Sequence, residues 1–191
     1  AYSYTQEAAS LIVEGQRRKP YVEARELLAV HIESGVIRYE AMFFFDIKYS
    51  GVRTIRIDVP ASLADKIRNV TPSLRDQRID PQPADVASGY VAWQLIGEGE
   101  LLGSVAAKFT WENKQGDLPV GQSVAIDLPQ FKVIGVDRYW GQIVASKAET
   151  IEISVKDEPR GLRPIDPQRD LMPGAAVANA ARAFEFHDDW S

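Results

Sequence analysis

The sequence predicts an all-β domain, an antiparallel two-sheet sandwich of about ten strands with little helix, with a closed β-barrel as the alternative. Three observations predict it. Short apolar runs alternate with polar residues at a period of two. Thirteen glycines and eleven prolines sit mostly between those runs, where turns belong. No segment carries a long 3.6-residue periodicity.

The clearest run is 36–49, where Ile37, Tyr39, Ala41, Phe43, Phe45, Ile47 and Tyr49 alternate with Arg38, Glu40, Asp46 and Lys48. This is a long half-buried strand. Met42 and Phe44 interrupt its polar face, so its centre is expected to be covered on both sides, by the same chain rather than by a neighbour. The run 52–60 repeats the pattern with Ile55, Ile57 and Val59 inward. Ser50-Gly51 between the two suits a tight hairpin, and Pro60 ends the second run. Residues 61–70 suit a short helical turn, and the proline-rich 72–88 a surface loop. Runs 90–96 and 104–112 flank Gly97-Glu98-Gly99-Glu100 as a second hairpin, with Trp93 and Trp111 on the core parity. Further short strands are expected at 123–129, 131–136, 141–146 and 150–155, and a short helix before a final strand within 174–186. Near the start, 5–15 and 22–33 suit either helix or strand; their strand-like flanks favour strands.

Composition removes several function classes. The absence of cysteine excludes disulfides, iron–sulfur clusters, thiolate metal sites and cysteine nucleophiles. Lysines and arginines number 22 against 27 acids, a formal charge of −5, which argues against nucleic acid. No apolar run approaches the roughly 18 residues of a membrane span, and the opening AYSYTQEAAS has no signal-peptide pattern. At 191 residues a single domain, 1–191, has core enough to fold without a metal or cofactor.

Chemistry-bearing motifs are sparse. H-E-x-x-H, G-x-S-x-G, Walker A and G-x-G-x-x-G are all missing from the sequence. Glu98 with Glu100, or Asp188 with Asp189, are carboxylate pairs by number alone, and nothing in the sequence sets them across a sugar. Of the two histidines, His31 falls on the outward face of its strand and reads as a solvated side chain. His187-Asp188-Asp189 supplies an imidazole and two carboxylates of metal-ligand type. Adjacent strand side chains point to opposite faces and no further ligand completes the set, so no metal is expected there. Asn69-Val70-Thr71 matches a glycosylation acceptor, a three-residue pattern to which nothing is assigned. The strongest ligand candidates are Asp137, Arg138, Tyr139 and Trp140, just before Gly141. On an exposed loop these would stack on a sugar ring while the charges bind its hydroxyls; otherwise Trp140 plugs the end of the core.

The strand ending I-R-I-D-V-P (55–60), the stretch F-K-V-I-G-V-D-R-Y-W-G-Q-I-V (131–144) and L-R-P-I-D (162–166) resemble segments of very long, uncharacterised bacterial proteins of planctomycete type. Those proteins carry repeated β-rich regions and are thought to lie in the cell envelope. The resemblance implies a fragment of a larger polypeptide and an extracytoplasmic place, periplasmic or cell-surface. It brings no catalytic residues. Ala183-Phe184-Glu185-Phe186 repeats the type pattern of Ala1-Tyr2-Ser3-Tyr4, as a repeat boundary would. The expected function is therefore a non-catalytic structural or interaction module without cofactor, whose partners are neighbouring domains of the parent protein. The alternative is a carbohydrate-binding module appended to a glycosidase, with polysaccharide as partner.

Overall fold

The computed structural model describes residues 13–155, 160–175, 177–187 and 190. Among them are nine strands and no helix: β1 (Tyr21–Glu33), β2 (Val36–Pro60), β3 (Arg68–Asn69), β4 (Leu74–Arg78), β5 (Tyr90–Lys114), β6 (Lys132–Ile134), β7 (Arg138–Lys147), β8 (Arg163–Ile165) and β9 (Ala180–Phe186). They form one hydrogen-bonded sheet in the order β3-β5-β2-β1-β7-β9-β8, with β4 added to β5 and β6 to β2. The sheet is not closed, which removes the barrel. It is mixed rather than purely antiparallel, because β1 and β7 run parallel.

The two expected hairpins are not hairpins. Residues 36–60 form one 25-residue strand, and 90–114 form another. They pair antiparallel along most of their length, from Val36↔Lys114 to Pro60↔Tyr90. The register breaks between Ile47↔Gly103, Val52↔Leu101 and Thr54↔Ile96. Each strand therefore bulges where turn residues had been read, β2 at 48–51 and β5 at 97–100. Turn chemistry licenses a bulge as readily as a hairpin. A Cβ at Gly97 would meet the end of the Leu101 side chain, which would have to move aside. Tyr49, on the inward parity of the run, is thrown out at the bulge with φ 71° and is 62% exposed.

The bulges fold the sheet over. Trp93 and Phe109 lie in the same strand, and if β5 were straight they would be about 50 Å apart. Their rings meet edge-on with centroids 6.4 Å apart. The main core fills the fold: Phe43 packs edge-on against Phe109 at 6.1 Å and Phe131 at 5.5 Å. Ile55, Ile57, Val59 and Leu95 from beyond the bulge join the same buried cluster. Trp93 and Trp111 are buried, as their parity predicts.

The back of the sheet carries a second, smaller core. Leu27, Val144 and the β9 residue Ala183 are buried there beneath Met172 and Ala175, with Met42, Phe44 and Trp140 packed at the margin. Buried Gln142 ties this cover down: its Nε2 donates to the Asp170 carbonyl at 2.9 Å, and the Met172 N–H donates to its Oε1 at 2.8 Å. Met42 and Phe44 are thus covered by their own chain, though only in part.

Other local expectations change. The 72–88 loop contains β4, a polar edge strand whose single apolar residue, Leu74, is buried. Residues 61–70 turn back tightly, with the Lys66 and Ile67 N–H groups both donating to the Leu63 carbonyl, and β3 follows. No strand forms at 123–129 or 151–155; 131–136 yields only β6, while 141–146 lies within β7. Among the described residues of 174–186 no helix forms: Asn179 takes a positive φ of 56° and leads directly into β9. The strand choice for 22–33 matches β1. Residues 5–12 and 1–4, and with them the repeat match, lie outside the described residues.

Phe43, fully buried at the meeting of three aromatic rings, sets a test of this core. Phe43→Ala is expected to cost about 3–5 kcal/mol by urea unfolding. Phe44→Ala, on the half-covered back, is expected to cost clearly less.

Candidate functional site

The parallel pair β1–β7 decides which sequence candidates meet. Its register sets Ala24 beside Tyr139, Arg25 beside Trp140 and Glu26 beside Gly141. Side chains alternate along each strand, so Tyr139 goes to the main core and Arg138 and Trp140 to the back. The four candidates 137–140 therefore divide, and they lie at the start of a central strand rather than on a loop. Asp137 is structural: its Oδ2 accepts from the Val22 N–H at 2.7 Å, and its own N–H donates to the Val22 carbonyl at 2.8 Å. Tyr139 points inward, and its hydroxyl donates to the Glu26 carboxylate.

Glu26 was not singled out by sequence. It is 2% exposed, within the main core face of β1. Burial pushes its pKa up to about 8, opposed in part by the hydrogen bond from Tyr139. Gly141 permits the arrangement, since a Cβ there would stand 2.7 Å from the Glu26 carbonyl oxygen and collide with the Phe186 ring. Its only sequence signal was an acid on the parity of Ala24, Leu28 and Val30.

Arg138 and Trp140 line an open groove of about 420 Å³ on the back of the sheet. Cross-strand register builds it in rows. Asp46, Glu23 and Arg138 form one row across β2, β1 and β7; Phe44, Arg25 and Trp140 form the next. His187, just past β9, stacks against Trp140 with ring centroids 6.1 Å apart and planes at 28°. Glu185 closes the far side.

Most charges in the groove are matched. Lys48 lies 3.1 Å from Asp46 and 3.8 Å from Glu23, and Arg138 lies 3.7 Å from Glu23. Arg163 meets Glu185 at 2.7 Å and His187 meets it at 3.0 Å. The Arg163 guanidinium, aided by His187, holds the Glu185 carboxyl below its ordinary range. Arg25 instead lies with its guanidinium over the Phe44 ring, 5.7 Å from the centroid.

The remaining candidates separate from this site. Asp188 and Asp189 lie outside the described residues, so the ligand grouping with His187 has no geometry to report. Among the described residues no cluster of three or more His, Asp or Glu side chains is placed to hold a metal ion. His31 also lies on the back, but it is half-buried rather than solvated: its Nδ1 is 2.8 Å from Ser146 Oγ and its Nε2 3.1 Å from Glu33. Glu98 and Glu100 sit on the exposed β5 bulge, where Glu100 meets Arg17 at 3.4 Å. Among the described residues no helix is long and apolar enough to cross a membrane.

Fold and groove together define a β-rich domain with an aromatic and charged cleft on one face. No family model matches the chain, and no curated protein does. Among solved structures it is similar to yeast LTA4 hydrolase in complex with bestatin, at 11% identity and a TM-score of 0.38, over 87% of this chain and 26% of that one. The native leukotriene A4 hydrolase from Saccharomyces cerevisiae gives 8% identity and a TM-score of 0.36, over 88% of this chain and 27% of that one. The chain spans about a quarter of the length of each. Likeness of this degree carries no inference about chemistry.

Glu26 makes stability depend on pH in a defined direction. Between the ordinary carboxylate range and about 8, the folded chain keeps a proton that the unfolded chain has lost. Stability is therefore fully present at low pH with respect to this group, falls as pH rises through that window, and levels off above about 8. Glu26→Gln is expected to flatten this dependence, read as urea midpoints from about pH 5 to about pH 9.

Proposed function

We propose that the chain is a non-catalytic structural or interaction module of a large bacterial surface or periplasmic protein, acting by packing and surface complementarity. One observation carries this reading: the side chains with the most chemical capacity are committed to holding strands together. Asp137 joins the start of β7 to β1, Tyr139 and Glu26 join the same strands inside the core, and Gln142 fastens the back cover. Beyond the bend, buried Asp58 is held by Arg56, which also reaches Asp85. In this reading the folded-over sheet works as a two-sheet sandwich, and neighbouring domains of the parent polypeptide are the first partners. The sequence resemblance to repeated cell-envelope regions supports an extracytoplasmic place.

Cell fractionation of the parent organism with antibody to this domain, together with the reading frame that encodes it, tests the proposal. Tandem copies in an exported polypeptide are the expected result. A lone cytoplasmic protein, or substrate turnover by the purified domain, would overturn it.

A second reading is favoured by one feature, the contact between Trp140 and His187 in an open, charged groove. Rings at such a site receive the apolar face of a sugar, while carboxylates and guanidinium groups take its hydroxyls. On this reading the module binds carbohydrate. Trp140→Ala is expected to weaken binding on a polysaccharide panel severalfold or more while the fold, checked by circular dichroism, stays intact.

A further inference from the structure

Among the described residues the groove has one charged group without a counterion. Asp46, Glu23 and Glu185 each have a cationic neighbour, and Arg138 and His187 each have an acid. Among the described residues Arg25 forms no ion pair; its guanidinium is held over Phe44, and its strand neighbour on the other side is Trp140. A half-buried arginine between two aromatic side chains has lost part of its hydration, and the rings supply no hydrogen-bond acceptor in the plane of its donors. The group that answers those donors best is a carboxylate, bound through two parallel N–H···O bonds.

The placement extends this to a ligand of some length. Phe44, Arg25, Trp140 and His187 follow one another across β2, β1, β7 and the end of β9. Of these, Arg25, Trp140 and His187 line the groove; three positions at sheet spacing span about 10 Å, a row long enough for more than one sugar ring. The carboxylates of Glu23 and Asp46 run along one side of that row and Glu185 closes the other, within reach of hydroxyls beside it.

We infer that the groove binds an acidic saccharide, a chain of uronic acid type, whose sugar face packs on Trp140 and whose carboxylate pairs with Arg25. The inference rests on the carbohydrate-binding reading and specifies its ligand. A free amino-acid carboxylate would satisfy Arg25 alone; the length of the aromatic row favours a saccharide.

Calorimetric titration of the whole chain with an oligogalacturonide and with its fully methyl-esterified form, at one fixed salt concentration, tests it. The acid is expected to bind about tenfold or more tighter than the ester. Arg25→Gln is expected to weaken acid binding far more than ester binding and so remove that preference, whereas Trp140→Ala weakens both alike. Equal binding of the two forms by the unaltered chain would overturn the acidic assignment and leave carbohydrate binding standing. No binding of either would overturn both. Displacement of the oligogalacturonide by polyglutamate of equal charge, with equal affinity, would also overturn the saccharide assignment. These last three outcomes use the unaltered chain, so they do not depend on a variant folding.

Discussion

The structure depends on the meeting of Trp93 with Phe109, two residues of one strand brought face to edge. A 25-residue antiparallel pair left straight would expose a long apolar face that no other part of the chain is large enough to cover. Folding the pair over lets each half bury the other, and the aromatic rings at the fold become the centre of the core. The reciprocal bulges make this possible, because four residues of β2 and four of β5 leave the ladder at nearby levels and both strands can turn together. Tyr49 shows the local cost: a bulky residue held at positive φ, with its ring placed in solvent and Arg18 over it at 5.1 Å.

Once the front of the sheet is committed to this fold, its back must be dealt with separately. At the centre of β1, Leu27 is as completely buried on the back as Leu28 is on the front. The chain covers that position with Leu171, Met172, Ala175 and Val177, which lie outside the strands, and secures the cover through the buried amide of Gln142. The cover reaches the next row, Phe44, Arg25 and Trp140, only in part. The groove is the uncovered remainder of a face that is apolar towards Leu27 and charged towards Glu23 and Asp46, which is why aromatic and ionic groups stand side by side in it.

The β class, the parity of 36–47 and the burial of Trp93 and Trp111 are legible in the sequence, because all of these follow from period-two patterning; Tyr49, on the same parity, is turned out by the bulge. Connectivity is not legible. Ser50-Gly51 and Gly97-Glu98-Gly99-Glu100 are turn-like in composition, and composition does not distinguish a reversal of the chain from a bulge matched by one in the partner. β4 stayed hidden because an edge strand with one covered face needs only one apolar residue, Leu74. Of the candidate cluster, Trp140 and Arg138 reached a groove while Asp137 and Tyr139 turned to structural work. That division is a consequence of alternation along β7, and it became readable only once 137–140 was known to be strand rather than loop. Arg25 carries no local signal and Glu26 only that of an acid on an apolar parity; the significance of both comes from a parallel partner more than 110 residues away.

The buried carboxyl of Glu26 connects core and groove. A neutral carboxyl in an apolar core contributes less to stability than a hydrocarbon of its size would, even with one hydrogen bond. What it does provide is position. Bonding of Tyr139 to Glu26 is compatible with one alignment of β7 on β1, in which Ala24 leaves space for the phenol and Gly141 for the Phe186 ring. A slip by one residue would move Tyr139 to the back of the sheet and Trp140 into the core, and would leave Glu26 buried without its partner. The penalty for that slip is an unsatisfied buried acid, so the bond selects the register more strongly than it stabilises the fold. Because Arg25 and Trp140 are neighbours only in the selected register, the geometry of the groove is set from the opposite side of the sheet, by Glu26 and Tyr139.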